Sequence, residues 1–168
     1  IYRCQIFSNI GSATGAGMYL RDTSVSTLVA ECDIRSNSFG AAGVGGGVYW
    51  TGSTSTTIAL GKLLRNDIRD HVISGSGAGV YIDRFATIPV IDNVIRANAG
   101  TTSACDGGGL YLAAGNTGIF DICGNVIFGN TAQRGGGAAV LTLASTPITR
   151  NIFACNTATS LTPNPPTA

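Results

Sequence analysis

Apolar and polar positions along this chain follow neither a helical stripe nor one long alternation. They recur as a compound unit, apolar-x-x-[Asn/Cys]-x-apolar-x-x-[Asn/His]. The copies are Ile1/Cys4/Ile6/Asn9, Val29/Cys32/Ile34/Asn37, Leu63/Asn66/Ile68/His71, Val90/Asn93/Ile95/Asn98, Ile122/Asn125/Ile127/Asn130 and Ile148/Asn151/Phe153/Asn156. A second unit follows each of the first five: a glycine cluster and then an apolar-Tyr-apolar triplet. The triplets are Met18–Leu20, Val48–Trp50, Val80–Ile82 and Leu110–Leu112, with Ala138–Val140 as a degenerate copy. Their clusters begin at Gly15, Gly45, Gly77, Gly107 and Gly135, a repeat of 28 to 32 residues. A third short β-prone run separates the two units in several copies, at Ser26–Leu28, Thr57–Leu60 and Thr117–Phe120. Glycines interrupt every window of helical length, so no helix is predicted.

Three short strands with turns between them in about thirty residues is the arithmetic of a parallel β-helix. One coil cannot bury its own apolar face, so coils stack at about 4.8 Å and equivalent residues form ladders. The prediction is an all-β solenoid with three parallel sheets and five to six coils over residues 1–158. The Pro/Thr-rich residues 159–168 are read as a tail or linker. Alternation along the strands sends Ile6, Ile34, Ile68, Ile95, Ile127 and Phe153 inward as one stack. Asn9, Asn37, Asn98, Asn130 and Asn156 are expected at a corner, where Asn tolerates the left-handed backbone and stacked amides bond from coil to coil. Asn66, Asn93, Asn125 and Asn151 make a second such column, which Cys4 and Cys32 continue, and His71 fills a slot of the first. The glycines permit positive φ and close backbone approach at the next corner.

Composition narrows the class. Glycine numbers 24 of 168 residues and charged residues only 11%, while 44% are hydrophobic, so a packed core is affordable and disorder is excluded. No apolar run reaches the ~18 residues of a membrane-spanning helix, so no membrane insertion is expected. A net charge of +1 argues against a nucleic-acid partner. Five cysteines without a CxxC pair, and His71 as the only histidine, give a zinc site no support. The cysteines read as small buried hydrophobes, with a Cys4–Cys32 disulfide between stacked positions as the alternative.

Half of the charge falls on one predicted sheet face. Its columns read Arg3, Glu31, Arg65, Asp92, Gly124, Arg150, then Gln5, Asp33, Asp67, Val94, Val126, Ile152, then Phe7, Arg35, Arg69, Arg96, Phe128, Ala154. One reading is a solvated sheet with cross-strand ion pairs. The sharper one is a binding groove. There Asp33 and Asp67 suit a hard cation such as calcium, and Arg35, Arg69 and Arg96 clamp an acidic sugar. Tyr19, Tyr49, Tyr81 and Tyr111 form an outward stripe, read either as a stabilising ladder or as a platform for carbohydrate. Nothing selects a catalytic acid–base pair, and no cofactor beyond calcium is suggested.

The run Asn93–Ala99 followed by Gly107–Leu112 resembles right-handed parallel β-helix proteins of the pectate-lyase-like superfamily. Within it, the Gly-Gly and Asn-x-Ala signature is similar to the repeats of polymorphic outer-membrane proteins. Asn98-Ala99, Asn130-Thr-Ala132 and Asn156-Thr-Ala158 carry the corner. The resemblance implies a right-handed coil and an extracellular or cell-surface location. It leaves function open among polysaccharide lyases and hydrolases, adhesins and structural domains. The enzymes' motifs are missing: Tyr81–Arg84 lacks the Trp and His of a Trp-Ile-Asp-His segment, and there is no Gly-His-Gly. The expectation is therefore a non-catalytic structural, adhesive or filament-forming module, with a polysaccharide or a second copy stacked end to end as partner. The alternative is a polysaccharide lyase or glycoside hydrolase, or a fragment of one. Because Ile1 opens in full repeat register, the chain is expected either to be cut from a longer β-helix or to stack through its ends.

Overall fold

A computed structural model describes residues 1–55, 57–114, 121–141 and 146–159. Thr117–Phe120, and the tail apart from Thr159, lie outside the described residues. The described chain is a parallel β-solenoid of about five turns without a helix. Four ladders of short strands run along it. Sheet I stacks Leu28–Ala30, Lys62–Leu64, Val90–Ile91, Ile122–Cys123 and Ile148–Thr149. Sheet II stacks Gln5–Phe7, Asp33–Arg35, Asp67–Arg69, Val94–Arg96, Val126–Phe128 and Ile152–Ala154. Sheet III takes the dipeptides from Ile10–Gly11 to Thr157–Ala158, and sheet IV takes Met18–Arg21, Val48–Thr51, Val80–Ile82, Leu110–Leu112 and Ala138–Val140. A two-stranded ladder joins Ala59–Leu60 to Ala86–Thr87. Successive coils differ in length, from 26 to 34 residues between rungs of one column, because the loops outside the ladders absorb the variation.

The finer division of each coil has a local cause. The repeat unit spaces its inward residues three, two and three apart, whereas a strand's side chains alternate with period two. An extra residue must be accommodated at each three-spacing, as in a β-bulge. The residues that do so are left-handed: Arg3, Glu31, Arg65, Asp92, Gly124 and Arg150 at one corner, and Ser8, Ser36, Asp70, Ala97, Gly129 and Cys155 at the other. This corrects the expectation that Asn itself supplies the left-handed turn. In every coil the residue immediately before the Asn column adopts positive φ, and the Asn points inward behind it. The same correction moves Arg3, Glu31 and Arg65 off the sheet face and onto a corner. Such a conformation costs a non-glycine residue roughly 1–2 kcal/mol, and the buried amides described below offset it. Each unit is thereby split among sheets I, II and III.

The inward stack is in register as expected, with Ile34 opposite Ile6 and Ile68, Ile95 between Ile68 and Ile127, and Phe153 opposite Ile127. Ile34, Ile68, Ile95 and Ile127 are fully buried in one core with Val29, Leu63 and Val90 of sheet I and Val80, Trp50 and Leu112 of sheet IV. Ile6 and Phe153, on the outermost coils, are only partly covered.

Candidate functional site

Two outward stripes and two inward polar columns hold the chemistry of this chain. On sheet II, Asp33 and Asp67 are direct neighbours in register, as are Arg35, Arg69 and Arg96. The five side chains join into one zigzag. Arg35 meets Asp33 at 2.9 Å, Arg69 meets Asp33 at 3.0 Å and Asp67 at 2.9 Å, and Arg96 meets Asp67 at 2.9 Å. Arg69 also reaches Asp70 at 2.9 Å. Partial burial works against the Arg69 charge, but Asp70, Asp33 and Asp67 together hold its guanidinium above its usual range. Arg35 stacks over the Phe7 ring at 4.3 Å, which closes the upper end of the stripe. Below Asp67 the same column turns apolar, with Val94, Val126 and Ile152.

This geometry decides what the stripe can do. Each carboxylate is gripped by two guanidiniums, so a hard cation at Asp33 and Asp67 must first displace Arg69. An acidic sugar must likewise displace a carboxylate to reach an Arg. Among the described residues there is no group of three or more His, Cys, Asp or Glu side chains able to hold a metal, and no enclosed pocket forms. Partly exposed pairs of this kind contribute little singly and somewhat more as a network. Asp67→Asn is therefore expected to cost about 1 kcal/mol of stability. Urea unfolding at low and high salt checks this, and the loss should shrink at high salt.

On sheet IV, Tyr19, Tyr49, Tyr81 and Tyr111 are stacked as predicted, with centroids 5.4, 5.2 and 4.6 Å apart. The stacking uses the ring faces of the middle members on each other. What Tyr49 and Tyr81 present elsewhere is edges and hydroxyls, so a sugar ring can stack face-on only at an end of the row. Tyr19 is half exposed, whereas Tyr49 is buried and its hydroxyl donates to Asp83. Burial and then the Asp83 carboxylate push the Tyr49 hydroxyl well above its usual range. Burial does the same for Tyr81, with Asp83 adding to it. Asp83 is further fixed by accepting the Arg84 amide at 2.8 Å. Ala139 occupies the slot after Tyr111.

The Asp83 contact was not legible from the repeat, because Asp83 lies in the loop after the triplet. The Asp106–Arg134 pair, at 2.6 and 2.9 Å, was also missed, although the repeat carries a signal for it. Each residue precedes the first glycine of its cluster, and the two are bridge partners on adjacent coils.

The inward columns are continuous hydrogen-bonded ladders. Asn66, Asn93, Asn125 and Asn151 form one. Each backbone N–H donates to the Oδ1 of the next rung at 2.9 Å, and each Nδ2 donates back to a carbonyl of the preceding coil. Asn98, Asn130 and Asn156 repeat this in the other ladder. His71 imitates an Asn there. Its Nδ1 accepts the Asn37 N–H at 3.0 Å, and its Nε2 faces the Ile34 carbonyl at 3.1 Å, which requires the neutral Nε2–H tautomer. Burial lowers its pKa to about 4, although the Asn37 and Ile34 carbonyls and Asp70 favour the charged form. The glycine at the third position of each cluster abuts this ladder. A Cβ on Gly79 would lie 2.5 Å from the Gly109 carbonyl and 2.9 Å from Asn98 Nδ2. The glycine clusters and the Asn column are thus two sides of one contact.

All five cysteines are free thiols, Cys32 and Cys105 buried, Cys123 partly so, and Cys4 and Cys155 exposed. In comparisons with known proteins, no family model, no curated protein and no solved structure matches this chain.

Proposed function

We propose that this chain is a non-catalytic structural module, a rigid parallel β-helix that works at a cell surface or outside the cell. One observation carries the reading: the carboxylates best placed for chemistry, Asp33 and Asp67, are each neutralised by two arginines. A general base or a calcium ligand needs a carboxylate whose charge is not already balanced, and a substrate clamp needs an unpaired guanidinium. The ionic zigzag, the tyrosine row and the Asn ladders all tie one coil to the next. That is the work of a spacer or stalk that must hold its shape. The finer family assignment, a right-handed member of the pectate-lyase-like superfamily with repeats of the polymorphic outer-membrane type, is part of the same proposal. It rests on the Gly-Gly and Asn-x-Ala motifs, and the contact of each ladder rung with a glycine gives those motifs a physical role.

The test is incubation with acidic and neutral polysaccharides, with and without calcium, following new reducing ends and unsaturated products. No turnover is expected under any condition. Turnover that disappears in Asp33→Asn or Asp67→Asn would overturn the proposal in favour of a lyase or hydrolase.

A further inference from the structure

Two positions of one ladder carry sulfur instead of an amide. Where the column Asn66–Asn151 carries amides, its first two positions carry Cys4 and Cys32. They are equivalent positions of adjacent coils: Gln5 pairs with Asp33 directly beside them, and Asp33 N–H donates to the Cys4 carbonyl at 2.9 Å. The Cys4 backbone N–H points at Cys32 Sγ, 3.5 Å away, as an Asn rung's N–H points at the next Oδ1. Stacked positions of neighbouring parallel strands lie about 4.8 Å apart, inside the Cα separation a disulfide spans. The thiols make weak bonds to carbonyls, Cys4 to Tyr2 at 3.4 Å and Cys32 to Ala30 at 3.2 Å and Ile1 at 4.0 Å. The side-chain amide bond that links Asn66 to Asn93 and Asn93 to Asn125 thus has no counterpart of similar strength between the two sulfurs.

We propose that Cys4 and Cys32 are a redox-active dithiol that closes to an intramolecular disulfide, with a small-molecule disulfide such as oxidised glutathione as oxidant. The two thiols are unequal. Cys4 is exposed, whereas Cys32 is buried, and its burial, with the Cys4 thiol adding to it, raises the Cys32 pKa. Cys4 therefore attacks first. Its thiolate displaces one glutathione thiolate and forms a mixed disulfide. Cys32 loses its proton to solvent and attacks the Cys4 sulfur, forming the Cys4–Cys32 bond and expelling the second glutathione. The dithiol gives up two electrons and two protons, and one glutathione disulfide becomes two thiols. The closed bond joins coils one and two covalently across a 28-residue separation, so oxidation stiffens the solenoid at this rung. Cys105, Cys123 and Cys155 occupy different columns and are not expected to take part.

Treatment of the reduced chain with oxidised glutathione at mildly alkaline pH, followed by intact mass and tryptic mapping, tests this. The expected product has lost the mass of two hydrogens and retains three of its five titratable thiols. It joins peptides 4–21 and 22–35, and it unfolds at a higher temperature than the reduced chain until dithiothreitol is added. In Cys32→Ala, Cys4 should stop at the glutathione adduct. Five surviving thiols, a persistent Cys4 adduct in the unsubstituted chain, or a cross-link through any other cysteine would each overturn the proposal.

Discussion

Asn93→Ala should destabilise this chain by about 3–5 kcal/mol. Asn93 is fully buried, and its side-chain amide makes five hydrogen-bond contacts with four residues. Its Oδ1 accepts both the backbone N–H and the Nδ2 of Asn66 at 2.9 Å. Its Nδ2 donates to the Leu63 and Ile91 carbonyls and to Asn125 Oδ1. Alanine removes every one of these bonds and leaves the Asn66 N–H without an acceptor in a space closed to water. A buried donor or acceptor deprived of its partner costs roughly 1–3 kcal/mol, and at least two groups are affected. The left-handed Asp92 before it would then be strained without compensation. Asn9→Ala is the control. Asn9 is exposed, and only Asn37 Oδ1 receives its bonds, so its loss should be under about 1 kcal/mol. Urea unfolding of both variants checks the contrast, and equal losses would mean that the ladder does not carry the stability assigned to it.

Acid should destabilise the fold through His71 over a defined window. The native state holds this imidazole neutral with a pKa of about 4, against an ordinary value of 6.5. Between those values the unfolded chain binds more protons than the folded one, so stability falls as pH falls. It is complete above pH 6.5, and the His71 contribution is fully lost below about pH 4. The difference corresponds to about 3 kcal/mol. The main cause is burial, which penalises the charged ring and, helped by Arg69, outweighs the pull of Asp70 towards the charged form. Protonation would also remove the lone pair on Nδ1 that accepts the Asn37 N–H. His71→Asn restores the residue that the other rungs use, and its unfolding free energy should be flat across the same window. A variant that keeps the full acid dependence would place the titration elsewhere.

Much of the fold was legible because a solenoid repeats its physics. Six copies of one spacing named the inward Ile stack, both Asn columns and the slot His71 fills, and each stands where the repeat put it. The tyrosine row was legible for the same reason. The left-handed corners were misplaced by one residue. The reason is that Asn has two properties, tolerance of positive φ and an amide side chain, and only the second operates here. The three-two-three spacing already contained the correct answer, since a period-two strand needs its extra residue before the inward Asn, at Glu31 or Ser36 for example.

The shared position of the charged candidate residues was legible, and their ion pairing was not. That Asp33, Asp67, Arg35, Arg69 and Arg96 share one face follows from register alone. Whether they form an open clamp or a closed network depends on rotamers and on which guanidinium reaches which carboxylate, and the zigzag through Arg69 settles that. In the same way, a column of tyrosines is readable from spacing, but the consumption of their faces and the burial of Tyr49 against Asp83 arise only when neighbouring coils and loops close over them.

By itself, then, the sequence determined most of what is periodic: the coil, the parallel stacking, and which residues line the interior. Equivalent residues of adjacent coils must meet if each coil is to bury its apolar face. Only the tertiary structure decided what is not periodic: the closing of the charges on one another, the neutral His71, and the burial of Tyr49 against Asp83. These depend on distances between particular side chains, and no repeat specifies those.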